Sequence, residues 1–155
     1  MRTMFQAALA KDRAMTTQRL LACSVVLVVL ILNGCGGTWV DDSRNFERVF
    51  GFSKPPDVQI IHSYYWKSSH WSTEYRYFIA LQPSSKFRSG LTSPELMTVA
   101  IPDASAVDVC GDKRPQWFLP KPLTSYEMWV SRTGAAHRVF HDKADGTLFV
   151  CDERL

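Results

Sequence analysis

The chain has 155 residues, of which 46% are apolar and 21% are charged. This length favours a single small domain, and the composition excludes a disordered or collagen-like chain. The formal net charge of +3 lies entirely in residues 1–34, which hold four basic residues and one acidic residue. Residues 35–155 are neutral overall, so we expect no nucleic-acid partner.

An uncharged apolar segment, Leu20–Leu32, follows the basic residues. A helix needs roughly 20 apolar residues to cross a bilayer core of about 30 Å, so this segment is too short for a comfortable span. Its length and flanks are typical of a secretory signal peptide. We expect residues 1–34 to be that signal. Met15 is an alternative start, which would leave a compact signal before Cys35.

The end of this segment, Leu32-Asn33-Gly34-Cys35, resembles the lipobox of bacterial lipoproteins. That motif has an aliphatic residue, a variable small residue, Gly or Ala, and then Cys; Asn33 is larger than is usual. The resemblance covers about residues 15–37. It implies that the Cys35 thiol is acylated and that cleavage makes Cys35 the N-terminus. Gly36, rather than Asp, follows the cysteine, which by the same resemblance implies the periplasmic side of the outer membrane rather than the inner one.

Two other interpretations of the N-terminus stay open, a secreted protein with a free Cys35 and an uncleaved membrane anchor. In the lipoprotein interpretation, acyl chains on Cys35 bind membrane lipid. Residues 35–41 then form a lipidated tether, and residues 42–155 form a single globular domain.

Alternating apolar residues and turn residues predict an α+β fold. We expect an antiparallel sheet of four to five strands built from two hairpins, with two short helices on one face and one disulfide. The first strand should place Val58, Ile60, His62, Tyr64 and Trp66 on one face and Ile61 and Tyr65 on the other. The predicted elements are a helix from Asp42-Ser43 to about Phe52, strands at 57–67 and 71–81, a loop at 83–90, a helix from about 93 to 100, an irregular segment at 103–121, and strands at 126–131, 136–141 and 147–151.

Cys110 and Cys151 are the cysteines that remain after the signal and the lipidation site. Exported chains fold in an oxidising compartment, which favours a disulfide between them. Such a link, closing a loop of about 40 residues, would stabilise the fold by roughly 4 kcal/mol. A metal-binding pair or redox chemistry is the alternative, although no C-x-x-C spacing is present.

Aromatic and polar residues surround the first predicted hairpin turn. His70 and Trp71 lie at the turn and Trp66 lies just before it. Rigid aromatic side chains with polar neighbours are suited to protein or sugar contacts, so these three are candidate partner-binding residues. The alternative is that Trp66 and Tyr64 belong to the core.

Histidines and carboxylates give a weaker indication of a metal site. His62, His70 and Glu74 would suit zinc if they converged, but their spacing matches no metal motif. His137 and His141 should share one strand face. The segment at 142–146 lacks the spaced acidic ligands of a calcium loop and is expected to be a turn.

Motifs for catalysis are not found in the sequence, which has no nucleophile elbow, no H-E-x-x-H and no glycine-rich phosphate loop. Asp152 and Glu153 are expected at a frayed C-terminus. We therefore expect no cofactor and no enzymatic activity. The favoured function is a lipid-anchored, non-catalytic module that binds another envelope or exported protein, as an assembly accessory or an inhibitor or immunity-type partner. Glycan or small-ligand binding is the alternative, and hydrolysis by dispersed residues is a third.

Overall fold

A computed structural model describes residues 36–69, 73–108, 110, 111 and 113–155. Most of the regular structure is β-strand. The strands are β1 (Gly37–Val40), β2 (Gln59–Lys67), β3 (Tyr75–Gln82), β4 (Met97–Ala100), β5 (Tyr126–Ser131), β6 (Arg138–Asp142) and β7 (Leu148–Arg154). The helices are α1 (Asn45–Phe50), α2 (Ser85–Leu91) and α3 (Ala104–Asp108), and a 3-10 turn covers Leu123–Ser125.

The strands form one antiparallel sheet of seven, in the order β1-β2-β3-β7-β6-β5-β4. The two expected hairpins, β2–β3 and β6–β7, lie side by side at its centre through the β3–β7 pair. The antiparallel sheet and the disulfide are as predicted, but the strand number was underestimated. The two additional strands, β1 and β4, are the edges of the sheet, where short strands have weak sequence signals.

Apolar side chains are buried on both faces of the sheet. On the helix face, α1 and α2 pack over Ile79, Leu81 and Val150. On the disulfide face, the segment from α3 to the 3-10 turn packs over Phe78 and Phe149. The cover is therefore two-sided, and the prediction of helices on one face alone is too simple.

A β-bulge in β2 corrects the predicted facing of that strand. Ile60 pairs with Leu81 and His62 pairs with Ala80, so Ile61 has no partner in the ladder. An extra residue reverses the alternation of side chains beyond it. Ile60 accordingly packs on the helix face, while Tyr64 packs on the disulfide face.

The structure also differs from the prediction between residues 83 and 100. The segment predicted as a loop, 83–90, forms most of α2. The Ser84 hydroxyl caps this helix by accepting a hydrogen bond from the Phe87 nitrogen at 3.2 Å. The segment predicted as a helix, from about 93 to 100, forms a single turn and then β4. The Met97 nitrogen closes the turn by donating a hydrogen bond to the Ser93 carbonyl at 2.8 Å. Proline at residue 94 suits a tight turn as well as a first helical turn.

The first described residues enter the sheet at once. Gly37 lies opposite Lys67, and Val40 lies opposite Tyr64. A Cβ on Gly36 would overlap the backbone of Ser68 and Ser69, so only glycine fits there. Most of the segment predicted as a tether is therefore an edge strand. Within the described part of the chain, no helix is long and apolar enough to cross a membrane.

The disulfide joins Cys110, in the segment over the disulfide face, to Cys151 on β7, with 5.8 Å between the Cα atoms. Both cysteines are fully buried. Beside it, Arg76 on β3 forms a buried ion pair with Glu153 on β7. Residues 152 and 153 are thus part of a paired strand, which corrects the expectation of a frayed end.

Replacing Cys110 and Cys151 together by alanine should lower the free energy of unfolding by about 2–4 kcal/mol, because the unfolded chain loses a cross-link across about 40 residues. Urea unfolding of oxidised wild type and the double variant measures this difference. Free-thiol labelling of the unfolded, non-reduced wild type should detect neither cysteine, and labelling of both would contradict the disulfide.

Candidate partner-binding groove

An open apolar groove of about 790 Å³ lies between α2 and the chain that follows α1. One wall is the chain after α1, with Phe52, Pro55 and Pro56. The other wall is α2, which contributes Phe87 and Leu91. Concave, mostly apolar surfaces with a few polar groups at the rim are typical binding sites.

Four phenylalanine rings pack together beneath and beside the groove. Phe46, which is fully buried, has its ring centroid 4.6 Å from that of Phe50 and 5.6 Å from those of Phe52 and Phe87. Phe52 keeps 51% of its surface exposed. A ring held by three neighbours and still half open to solvent is pre-positioned for contact, because little side-chain entropy remains to be lost on binding.

Polar groups at the rim carry both signs of charge. Asp57 lies on one side and Lys86 on the other, and both are exposed. The groove therefore fits an amphipathic segment that has an apolar centre and polar flanks.

The groove lies at the end of the sheet remote from Gly36. Asp57 and Ser84 flank the paired residues Gln59 and Gln82 at one end of the β2–β3 hairpin. Gly37 is paired with Lys67 at the other end. Seven residue steps along β3 separate the two ends, about 24 Å at 3.4 Å per residue.

Only one of the predicted lipidation and partner-binding residues is described by the structure. Cys35, His70 and Trp71 lie outside the described residues. Trp66 is half-buried on β2, opposite Thr38 and Arg76. Trp66 does not line the groove.

The candidate metal ligands do not converge where they are described. His62 stacks on Trp117 at 5.3 Å and lies 3.5 Å from the Asp41 carboxylate. His141 contacts Glu127 at 3.3 Å. Among the described residues, no group of three potential ligands could hold a metal ion. The turn at 142–146 forms as expected, with Gly146 at φ 78° and its nitrogen bonded to the Asp142 carbonyl.

A row of three aromatic residues and one aspartate crosses the helix face at the opposite end of the sheet. Trp39, Tyr65, Tyr77 and Asp152 are successive cross-strand partners on β1, β2, β3 and β7. The Tyr77 hydroxyl bonds His137 Nδ1 at 3.0 Å. Burial raises the pKa of Tyr77 well above its usual range and lowers the pKa of His137.

The sequence did not predict the groove, because its two walls are about 30 residues apart in the chain. The signal available was the set of phenylalanines at 46, 50, 52 and 87. Because Pro83–Gly90 was predicted to be a loop, Phe87 was not expected to pack with the other three. No known family model, curated protein or solved structure matches this chain.

Stability should fall as the pH is lowered from about 7.5 to 5.5, since the folded pKa of His137 lies below its ordinary value while the unfolded pKa does not. The unfolded chain then binds more protons than the folded one, which favours unfolding. Arg138 opposes protonation of His137 and Asp152 favours it, and burial is the largest contribution.

The melting temperature of wild type, measured across that range, should fall more than that of His137→Gln. Asp142 and Asp145 have lowered pKa values, about 2 for Asp145, so their protonation lies below the range tested. Parallel curves for wild type and variant would contradict this assignment.

Proposed function

We propose that this chain is a non-catalytic protein-binding module, held on the periplasmic side of the outer membrane by a lipid on Cys35. The open apolar groove supports the binding role most directly. Its occupant is an amphipathic segment of another envelope or exported protein, whose apolar side chains cover Phe52 and Leu91. In that role the chain serves as an accessory to envelope assembly or as an inhibitor or immunity-type partner.

The placement of the groove supports the same proposal. The chain leaves residue 35 and enters β1 within two residues, at the end of the sheet where Gly37 pairs with Lys67. The groove is at the other end. A lipid on Cys35 would hold the first end at the bilayer and leave the groove accessible to a partner in the periplasm.

Lipidation should be detected by growing bacteria that express the full chain with an alkyne analogue of palmitate. Wild type is expected to incorporate the label, and Cys35→Ser is expected to lose it and to remain unprocessed. Cys23→Ser is the matched control and should be labelled like wild type. Labelling of Cys35→Ser at the wild-type level, or an unlabelled wild type, would contradict the lipid anchor.

Partner binding through the groove is tested with the lipidated protein as bait in detergent-solubilised envelope. Phe52→Ser should recover about tenfold less of a stoichiometric partner, because the exposed ring is an apolar anchor. Val99→Ser is the control, since Val99 is also apolar and is 73% exposed, but lies on the edge strand β4. Mass spectrometry identifies the partner, and thermal unfolding confirms that both variants are folded.

Recovery that depends on Phe52 and not on Val99 would support the groove, and Lys86→Glu should then weaken recovery of a partner with an acidic flank. Recovery that depends on Val99 alone would move the contact to β4. No stoichiometric partner, or equal recovery by all variants, would count against the groove as a protein-binding site.

A further inference from the structure

A second concavity, of about 240 Å³, lies on the helix face at the end of the sheet that begins with Gly37. Its floor is formed by Tyr65, Tyr75 and Tyr77. Arg48 of α1 forms one side, and Asp152 of β7 lies on the other. We name it the tyrosine pocket. Its small size suits the headgroup of a ligand rather than a whole lipid.

Arg48 is fixed in place with hydrogen-bonding capacity left over. Its Nη1 donates to Asn45 Oδ1 at 2.6 Å and lies 3.2 Å from Asp42 Oδ1. Its guanidinium carbon is 4.6 Å from the centre of a Trp39 ring. Nε and Nη2 have no hydrogen-bond partner among the described residues. A guanidinium with two such nitrogens is suited to an anionic oxygen cluster.

The opposite side of the tyrosine pocket has an acceptor to which no described residue donates. Asp152 Oδ2 accepts a bond from the Tyr75 hydroxyl at 3.1 Å, whereas no described residue donates to Oδ1. The Tyr65 hydroxyl is likewise without a described partner. Aromatic faces and a carboxylate together attract an ammonium group.

We propose that the tyrosine pocket binds a zwitterion that carries a phosphate and a primary ammonium on a two-carbon arm, the phosphoethanolamine group. The phosphate accepts bonds from Arg48 and the Tyr65 hydroxyl. The ammonium donates to Asp152 and contacts the rings of Tyr75 and Tyr77.

The spacing of the charges favours this ligand over a more compact zwitterion. Arg48 lies over Trp39 on β1, and Asp152 is on β7, with β2 and β3 between them. Three strand spacings are about 14 Å at the backbone, and both side chains line the same concavity. An α-amino acid carries both charges on one carbon, so we expect it to bind more weakly than a zwitterion with a two-carbon arm.

Two sources could supply this group, a phospholipid headgroup and a free soluble ester. The lipid source rests on the proposed anchor, because a lipid on Cys35 would place the tyrosine pocket at the bilayer surface. The pocket itself does not depend on the anchor.

The test is calorimetric titration of the full chain, carrying Cys35→Ser so that no lipid is attached. The probes are phosphoethanolamine, dihexanoyl phosphatidylethanolamine below its micelle concentration, phosphocholine, glycine, ethanolamine and inorganic phosphate. Both phosphoethanolamine compounds should bind. Phosphocholine should bind about tenfold more weakly because its ammonium has no N–H to donate, and the single-charge fragments and glycine should bind more weakly still.

Arg48→Gln and Asp152→Asn should each weaken phosphoethanolamine binding by about tenfold. Tyr65→Phe keeps the ring and should weaken it less, which tests the site in a variant that leaves the packing intact. Arg44→Gln is the matched control, because the Arg44 side chain is 73% exposed and does not line the pocket.

Binding of the lipid form and not the free ester would assign the site to the membrane, and the reverse would assign it to a soluble ester. No binding of either compound would overturn the proposal, as would affinities that Arg48→Gln and Asp152→Asn leave unchanged. Because the protein in this assay has no lipid, a negative result here leaves the anchor standing, and failed labelling of Cys35 leaves the tyrosine pocket standing.

Discussion

The pairing of β3 with β7 is the interaction on which the rest of the structure depends. Residues 76–81 of β3 and 148–151 of β7 are buried without interruption, so these strands have no solvent face. A pair buried on both faces needs apolar cover on both sides. The helices supply one cover, and the segment between β4 and β5 supplies the other. The disulfide from Cys110 to β7 holds that second, mostly irregular cover in place.

The buried ion pair between Arg76 and Glu153 belongs to the same arrangement. Removing two charges from water is unfavourable unless they are paired, so each residue requires the other. Gly111, at φ 87°, packs against the pair so closely that a Cβ would overlap the Glu153 carboxylate. The residue next to the disulfide thus packs directly on the pair, so the cover touches side chains of both β3 and β7.

The sequence predicted the central elements well because their patterns are long. The alternation of Tyr75, Tyr77, Ile79 and Leu81 identifies both a strand and its helix-facing side, and the export context predicts the disulfide. Short elements were missed for a physical reason. Met97–Ala100 is a strand only because β5 pairs with it, and Ser85–Leu91 is a helix because its apolar residues pack on the sheet. In such short segments, tertiary contacts act together with local signals such as the Ser84 cap and can override intrinsic propensity.

Both candidate binding surfaces depend on α1, whose six residues are too few to form a stable helix alone. Asn45 holds its start, since Nδ2 donates to the Trp39 carbonyl and to the Ser63 hydroxyl, each at 3.0 Å. Gly51, in the left-handed region, ends it. Between these points, Phe46 and Phe50 pack into the phenylalanine cluster, while Arg48 and Val49 line the tyrosine pocket.

The residues of these two surfaces are therefore visible in the sequence, but they come together only in the folded chain. The helix itself was predicted, but the residues against which its two sides pack were not. One side needs Phe87 from a segment assigned to a loop, and the other needs Asp152 from a strand end assigned to a frayed terminus. The residues of the groove and those of the tyrosine pocket are brought together by their positions in the fold, rather than by residue type. A helix of fewer than two turns, fixed by a buried amide, thereby sets the geometry at both ends of the hairpin.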